Sequence, residues 1–198
     1  MSPRATSRPA TRRRMPPRMT SAPYRTLPGA HPSKGAYFTR GSSHDKMARY
    51  TEEGDAYQEV MQRLLRKFET AKTYVPVPVI KRAREKTSFG AIYFGSTAPA
   101  MNEAMAALEE QSLYLDTLRL RAFPFAEMVT DFINSHDQVF LVEQNRDAQM
   151  RMLLVNECGI DPARFISILH YDGTPITARF IHQAIAERMT MKSREAAE

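Results

Sequence analysis

The residues best placed to do chemistry in this sequence are Glu143, Gln144, Asn145 and Arg146. They follow Val139–Val142, a short apolar run with β-branched residues at both ends, which reads as a strand buried on both faces. Met150, Leu153, Leu154 and Cys158 then recur at helical spacing. A strand that breaks into polar residues before a helix is half of a βαβ unit. The residues at such a break face the crevice beyond the strand's carboxyl end, where open α/β sheets bind ligands. The same residues could equally do no more than cap and solvate the turn, with Asn145 or Asp147 as the capping side chain. Glu143 beside Arg146 reads as an ion pair rather than a general acid.

Four such strands are legible, at Ala91–Gly95, Thr117–Ala122, Val139–Val142 and Phe165–His170. They alternate with helices at Pro99–Leu113, at Phe125–Asn134, after Asn145, and from Thr174-Pro175 onward. Alternation of this kind predicts an α/β fold with a small, doubly wound, mostly parallel sheet. The helix faces expected to meet the sheet carry Met101, Met105, Leu108 and Ser112; Val129, Phe132 and Ile133; and Ile176, Phe180, Ile181, Ala184 and Ile185. Right-handed crossovers between parallel strands gather their carboxyl ends on one edge. That edge brings Gly95, Ser96 and Thr97 together with Phe123-Pro124, the Glu143 run, and Tyr171, Asp172, Gly173 and Thr174. Thr97 is expected to cap the first helix of the domain, and helix N-termini there offer N–H groups to an anion. His170 beside Asp172 could exchange a proton, although a lone histidine at a strand end is more often structural. No nucleophile elbow, phosphate loop, dinucleotide glycine fingerprint or metal-ligand cluster is visible. The edge reads as one built to bind or dock.

Composition narrows the classes. The chain has 198 residues, a single cysteine and no tryptophan. An internal disulfide and an all-cysteine iron–sulfur site are therefore ruled out, which fits a reducing, cytoplasmic setting. No apolar run approaches the ~20 residues of a membrane span. The net charge of +6 sits wholly in Arg4, Arg8, Arg12, Arg13, Arg14 and Arg18, and the other 22 basic residues balance 22 acids. Nucleic-acid binding would rest on that tail alone.

Residues 1–23, rich in Arg and Pro, are expected to be disordered. Residues 24–50 form a long Gly/Pro/aromatic loop that reads as the trailing end of a preceding domain. From Gly54 to Lys72, Tyr57, Val60, Met61, Leu64, Leu65 and Phe68 form a helical packing stripe. Pro76 and Pro78 then open a linker through Lys86, and the tail from Thr190 is expected to fray.

Several ordered motifs carry a family resemblance. Phe94-Gly95-Ser96-Thr97-Ala98-Pro99-Ala100-Met101, Leu120-Arg121-Ala122-Phe123-Pro124-Phe125, Val142-Glu143-Gln144-Asn145-Arg146-Asp147-Ala148-Gln149 and His170-Tyr171-Asp172-Gly173-Thr174-Pro175-Ile176 resemble the C-terminal part of the α subunit of 2-oxoacid:ferredoxin oxidoreductases, 2-oxoglutarate type. Tyr24–Tyr50 and Arg63–Lys72 are similar to the end of the pyrimidine-binding domain that precedes it. The resemblance covers about residues 23–188. It implies a basic tail at 1–23, a remnant of the pyrimidine-binding domain with its helix and linker at 24–88, a transketolase C-terminal-like domain at 89–189, and a tail at 190–198.

It also implies oxidative decarboxylation of a 2-oxoacid to an acyl-CoA, with reduction of ferredoxin. Thiamine diphosphate with Mg and the iron–sulfur cluster would sit mainly in a partner β subunit, with coenzyme A as co-substrate and none bound by this chain alone. Glu143, Asn145 and Gln149, then Ser96, Thr97, Asp172 and Thr174, would line the interface near that active centre, and no residue here would be catalytic. The family's Tyr-Pro-Ile-Thr-Pro and Arg-Gly-Gly-Pro-Ser-Thr-Gly segments have no counterpart, so the chain looks like a C-terminal fragment, inactive alone. Lys46-Met47 also depart from the acidic and aromatic residues of the family. The alternative reading is a stand-alone α/β binding module whose basic tail contacts nucleic acid or an anionic surface.

Overall fold

The computed structural model describes residues 29–33, 43–45 and 49–195. The basic tail at 1–23 and most of the loop at 24–50 lie outside the described residues. The chain divides into two compact units, Met1–Tyr74 and Val75–Glu198.

In the first unit, helix α1 (Gly54–Ala71) follows the expected stripe. Val60 is buried, while Tyr57, Leu65 and Phe68 stay exposed, so only part of the stripe is a covered packing face. His44 and Tyr50 form an isolated antiparallel bridge.

The second unit is built on strands β1 (Val79–Lys81), β2 (Phe89–Phe94), β3 (Asp116–Leu120), β4 (Gln138–Glu143) and β5 (Phe165–Leu169), interleaved with helices α2 (Ala98–Glu110), α3 (Glu127–Asn134), α4 (Gln149–Cys158) and α5 (Ala178–Glu195). The five-stranded sheet has the order β1-β3-β2-β4-β5. β3, β2, β4 and β5 run parallel, while β1 joins β3 antiparallel. The doubly wound, mostly parallel sheet is as expected. Its edge strand β1 is not, because Val79–Lys81 falls in the expected linker. Three residues after two prolines carry too little periodicity to read as a strand, and β3 supplies the hydrogen-bonding partner that makes them one.

The alternation of side chains along the strands explains the two cores. Phe140 and Val142 of β4 pack with Ala91 and Tyr93 of β2 beneath α2 and α5. Val139 and Leu141, on the opposite face, pack with Ile92 and Leu118 beneath α3 and α4. Both faces of β4 are thus dry, which is why its sequence is continuously apolar. Burying each such large side chain contributes about 1.5–3 kcal/mol.

Element ends differ from expectation in three places. α2 stops at Glu110, and Ser112, expected on its inner face, lies beyond it with a left-handed φ of 59°. α5 begins at Ala178, and Thr174-Pro175 belong to the loop before it. Its helical backbone also runs on through Glu195, past the fraying expected from Thr190, because Ile181, Ile185 and Met189 keep it seated on the core. α4 ends as a glycine-stopped helix should, with Gly159 at φ 64°.

Candidate functional site

The sheet reverses its winding between β2 and β4. From β2 the chain moves outward to β3, then returns across to β4 on the other side. A crevice opens at the carboxyl ends of strands at such a switch point, since the connections leave in opposite directions. Here it is a cleft of about 480 Å³ lined by Phe94, Gly95, Ser96, Thr97, Gln144, Asn145, Gln149, Met150 and Leu153.

Four residues expected at the site meet there: Ser96, Thr97, Asn145 and Gln149. Gln144, among the edge residues but not among the expected interface residues, ties the two walls together. Its Nε2 donates to Ser96 Oγ and Thr97 Oγ1, both at 3.1 Å. Thr97 makes no capping hydrogen bond to α2. Its hydroxyl faces the β4–α4 turn instead, and a short 3-10 turn at Gly95–Thr97 leads into α2. Phe94, Met150 and Leu153 supply the apolar floor; their burial pattern in sequence gave no sign of a cleft.

Glu143 lies beneath this cleft and is fully buried. Its carboxylate accepts from the Met150 amide at 2.8 Å, the Arg151 amide at 3.1 Å and Asn145 Nδ2 at 2.8 Å. Asn145 Oδ1 in turn accepts from the amides of Asp147 at 3.1 Å and Gln149 at 3.2 Å. The first-turn amides of α4 are therefore satisfied from within the chain, by a negative charge placed at the positive end of the helix. Two expectations are corrected. Arg146 pairs with Asp147, at 2.7 Å, rather than with Glu143. The N-terminus of α4 is closed to an outside anion. The capping and solvating role open at the sequence level is the one these two side chains adopt.

Asp172 and Thr174 sit on the loop after β5 and do not line the cleft. Asp172 Oδ1 accepts from the Thr174 amide and hydroxyl, each at 2.8 Å. Those bonds, above all the amide, hold the exposed Asp172 carboxyl below the usual carboxylate range. His170 is buried against the Phe180 ring, with Nε2 3.5 Å from Asp172 Oδ1.

A second polar cluster lies at the opposite, amino edge of the sheet. Asp116 accepts from Arg82, from the Ala83 amide at 2.8 Å and from His136 Nε2 at 3.2 Å. His136 Nδ1 lies 2.7 Å from the Phe132 carbonyl. Burial pushes the Asp116 carboxyl up, but the Ala83 amide, Arg82 and His136 together outweigh it and hold the carboxyl below its ordinary value. The sequence carries no signal for this cluster, since its members come from the β1–β2 connection, the start of β3 and the α3–β4 turn. It ties the chain before β2 to the starts of β3 and β4.

Among the described residues no group of His, Cys, Asp and Glu side chains could hold a metal ion, and no helix is long and apolar enough to cross a membrane.

No model of a known protein family and no curated protein matches the chain. Solved structures do. The 2-oxoglutarate:ferredoxin oxidoreductase from Magnetococcus marinus, solved with 2-oxoglutarate, coenzyme A and succinyl-CoA bound, matches 80% of this chain with a TM-score of 0.68 at 17% identity. This chain spans 28% of that protein's length. The α chain of a probable 2-oxoacid ferredoxin oxidoreductase from Thermoplasma acidophilum is 25% identical, over 58% of this chain and 97% of that one, with a TM-score of 0.39. By fold, this chain matches a section of a 2-oxoglutarate:ferredoxin oxidoreductase, the type of enzyme that its motifs resemble.

Proposed function

We propose that the chain is the C-terminal, transketolase-like portion of the α subunit of a 2-oxoacid:ferredoxin oxidoreductase of the 2-oxoglutarate type. The observation that carries this reading is the fold likeness over 80% of the chain at a TM-score of 0.68, joined to motifs that occur in the family's order. The reaction is oxidative decarboxylation of the 2-oxoacid to an acyl-CoA with reduction of ferredoxin. In this reading the chain contributes assembly surface and the flank of the active centre, and is inactive alone.

The N-terminus of α4 does not fit a diphosphate. The α4 amides that would bind one already donate to Glu143 and Asn145. As the family resemblance implies, thiamine diphosphate with its Mg, and the iron–sulfur cluster, would sit mainly in a β subunit, which is the partner this reading requires. Ferredoxin is reached through the complex. The cleft residues Ser96, Thr97, Asn145 and Gln149, over the buried Glu143, would face that subunit or its substrate, with Asp172 and Thr174 at the margin.

Co-expression with the thiamine-diphosphate-binding subunit of the same source tests the proposal. Co-elution of the two on size exclusion is expected. Separate elution, or tight binding of thiamine diphosphate by this chain alone, refutes the partner-dependent role.

A further inference from the structure

The face of the sheet beneath α2 and α5 is not covered evenly. Val79, Lys81, Thr117 and Arg119 share that face with Ala91 and Tyr93, as the strand registers require. The two helices cover β2 and β4, whereas Val79, Lys81 and Arg119 remain exposed. The gap between α2 and the β1–β3 edge forms a cavity of about 440 Å³, within the second unit and apart from the switch-point cleft. That volume lies within the range of small-molecule sites, about 300–1,000 Å³.

Its walls have a specific chemistry. Met105, Ala106, Leu113 and Leu115 are apolar, and Tyr93 and Thr117 bring hydroxyls from the sheet. Tyr93 is 3% exposed and lines the cavity, and its hydroxyl is not one of the sealed-off polar atoms left without a partner. A hydroxyl on a cavity wall can exchange a bound water for the acceptor oxygen of a ligand. Burial also pushes the phenol upward against the pull of Arg119, keeping it a proton donor at neutral pH.

Three cations line the cavity, but two are already engaged. Arg82 is bound to Asp116. Arg84 donates to the Tyr114 hydroxyl at 2.8 Å and lies 3.8 Å from Glu109. Lys81 has only a neutral partner, Asn102 Oδ1 at 3.1 Å. One uncompensated cation and one hydroxyl donor, beside an apolar wall, match a single negative charge on an apolar body. A phosphate dianion would call for more donors than this.

We propose that this cavity binds a small carboxylic acid with an apolar or aromatic body, whose carboxylate accepts from the Tyr93 hydroxyl and pairs with Lys81. The body of the ligand lies along Met105, Ala106 and Leu115. Binding here is independent of the active-centre role proposed above.

The test uses the full chain and 2-naphthoate as the probe, titrated by isothermal calorimetry, with 2-naphthylmethanol and inorganic phosphate as controls. Saturable binding of 2-naphthoate is expected, at least tenfold tighter than either control. Tyr93→Phe, which removes only the hydroxyl, and Lys81→Met, at an exposed position, are each expected to weaken it by about tenfold. Ala106→Trp, on the exposed side of α2, should fill the cavity and abolish it. Absence of binding at millimolar probe, equal affinity for the alcohol or for phosphate, or affinity unchanged in Lys81→Met and Ala106→Trp overturns the proposal. Thermal melts of each variant separate lost binding from lost folding.

Discussion

Replacing Glu143 with alanine is the sharpest test of how the switch-point cleft is built. The carboxylate is fully buried and accepts three hydrogen bonds, two of them from the first turn of α4. Leaving buried donors unsatisfied costs about 1–3 kcal/mol for each one, more when its partner was charged. Loss of the negative charge at the N-terminus of α4 adds about 0.3–1 kcal/mol. Water entering from the cleft would recover part of this, so Glu143→Ala is expected to cost about 3–5 kcal/mol. That is a large share of the ~5–15 kcal/mol typical of a domain. Glu143→Gln keeps the shape and one acceptor oxygen but turns an NH2 group toward a helical amide, so about 2 kcal/mol is expected. Urea unfolding followed by circular dichroism reads both. With a slope of roughly 2 kcal/mol per molar urea, the alanine midpoint should fall by about 2 M and the glutamine midpoint by about 1 M. An alanine midpoint within about 0.5 M of wild type would refute the capping argument, since that slope makes it only ~1 kcal/mol. So would a glutamine variant as unstable as the alanine one.

Three further outcomes follow from particular contacts. Gly90→Ala should destabilise the fold by about 1–3 kcal/mol, because the new Cβ would lie 2.9 Å from Phe132 Cε1 and 3.2 Å from His136 Cγ; an unchanged melting temperature would contradict that packing. Asp116 is held below its ordinary value in the folded state, so its contribution is complete above the unfolded value of ~3.9 and disappears as pH falls through the folded one. Urea midpoints should accordingly fall less steeply on acidification in Asp116→Asn than in wild type, and parallel curves would sink the assignment. Gln149 is exposed and lines the cleft, so Gln149→Ala should leave stability within about 0.5 kcal/mol while, on the function proposed above, lowering turnover of the oxidoreductase assembly; full turnover would remove it from the proposed interface.

What could be read in advance was what depends on neighbours in sequence. The continuous apolar run of β4 reveals burial on both faces, because each successive side chain points to the opposite side. The alternation of strands with amphipathic helices sets the winding, and with it the edge on which Ser96, Thr97, Asn145 and Gln149 converge. Gly159 marks the end of α4 through its own backbone preference. The order of motifs from Phe94 to Ile176 likewise pointed to the enzyme type whose fold this chain shares.

Tertiary structure decided which donors and acceptors meet. Glu143 could be a ligand, an ion-pair partner or a cap on any reading of its sequence. It becomes a cap because α4 folds back and places the Met150 and Arg151 amides against its carboxylate. β1 exists because β3 offers it an open edge, and no local pattern encodes that offer. Arg82, Asp116 and His136 meet only through the sheet. The gap that leaves Tyr93 and Lys81 facing one cavity arises because two helices do not span five strands. Periodicity is a property of adjacent residues, whereas hydrogen-bond partners and cavities belong to pairs that are distant in the chain, and only packing brings those together.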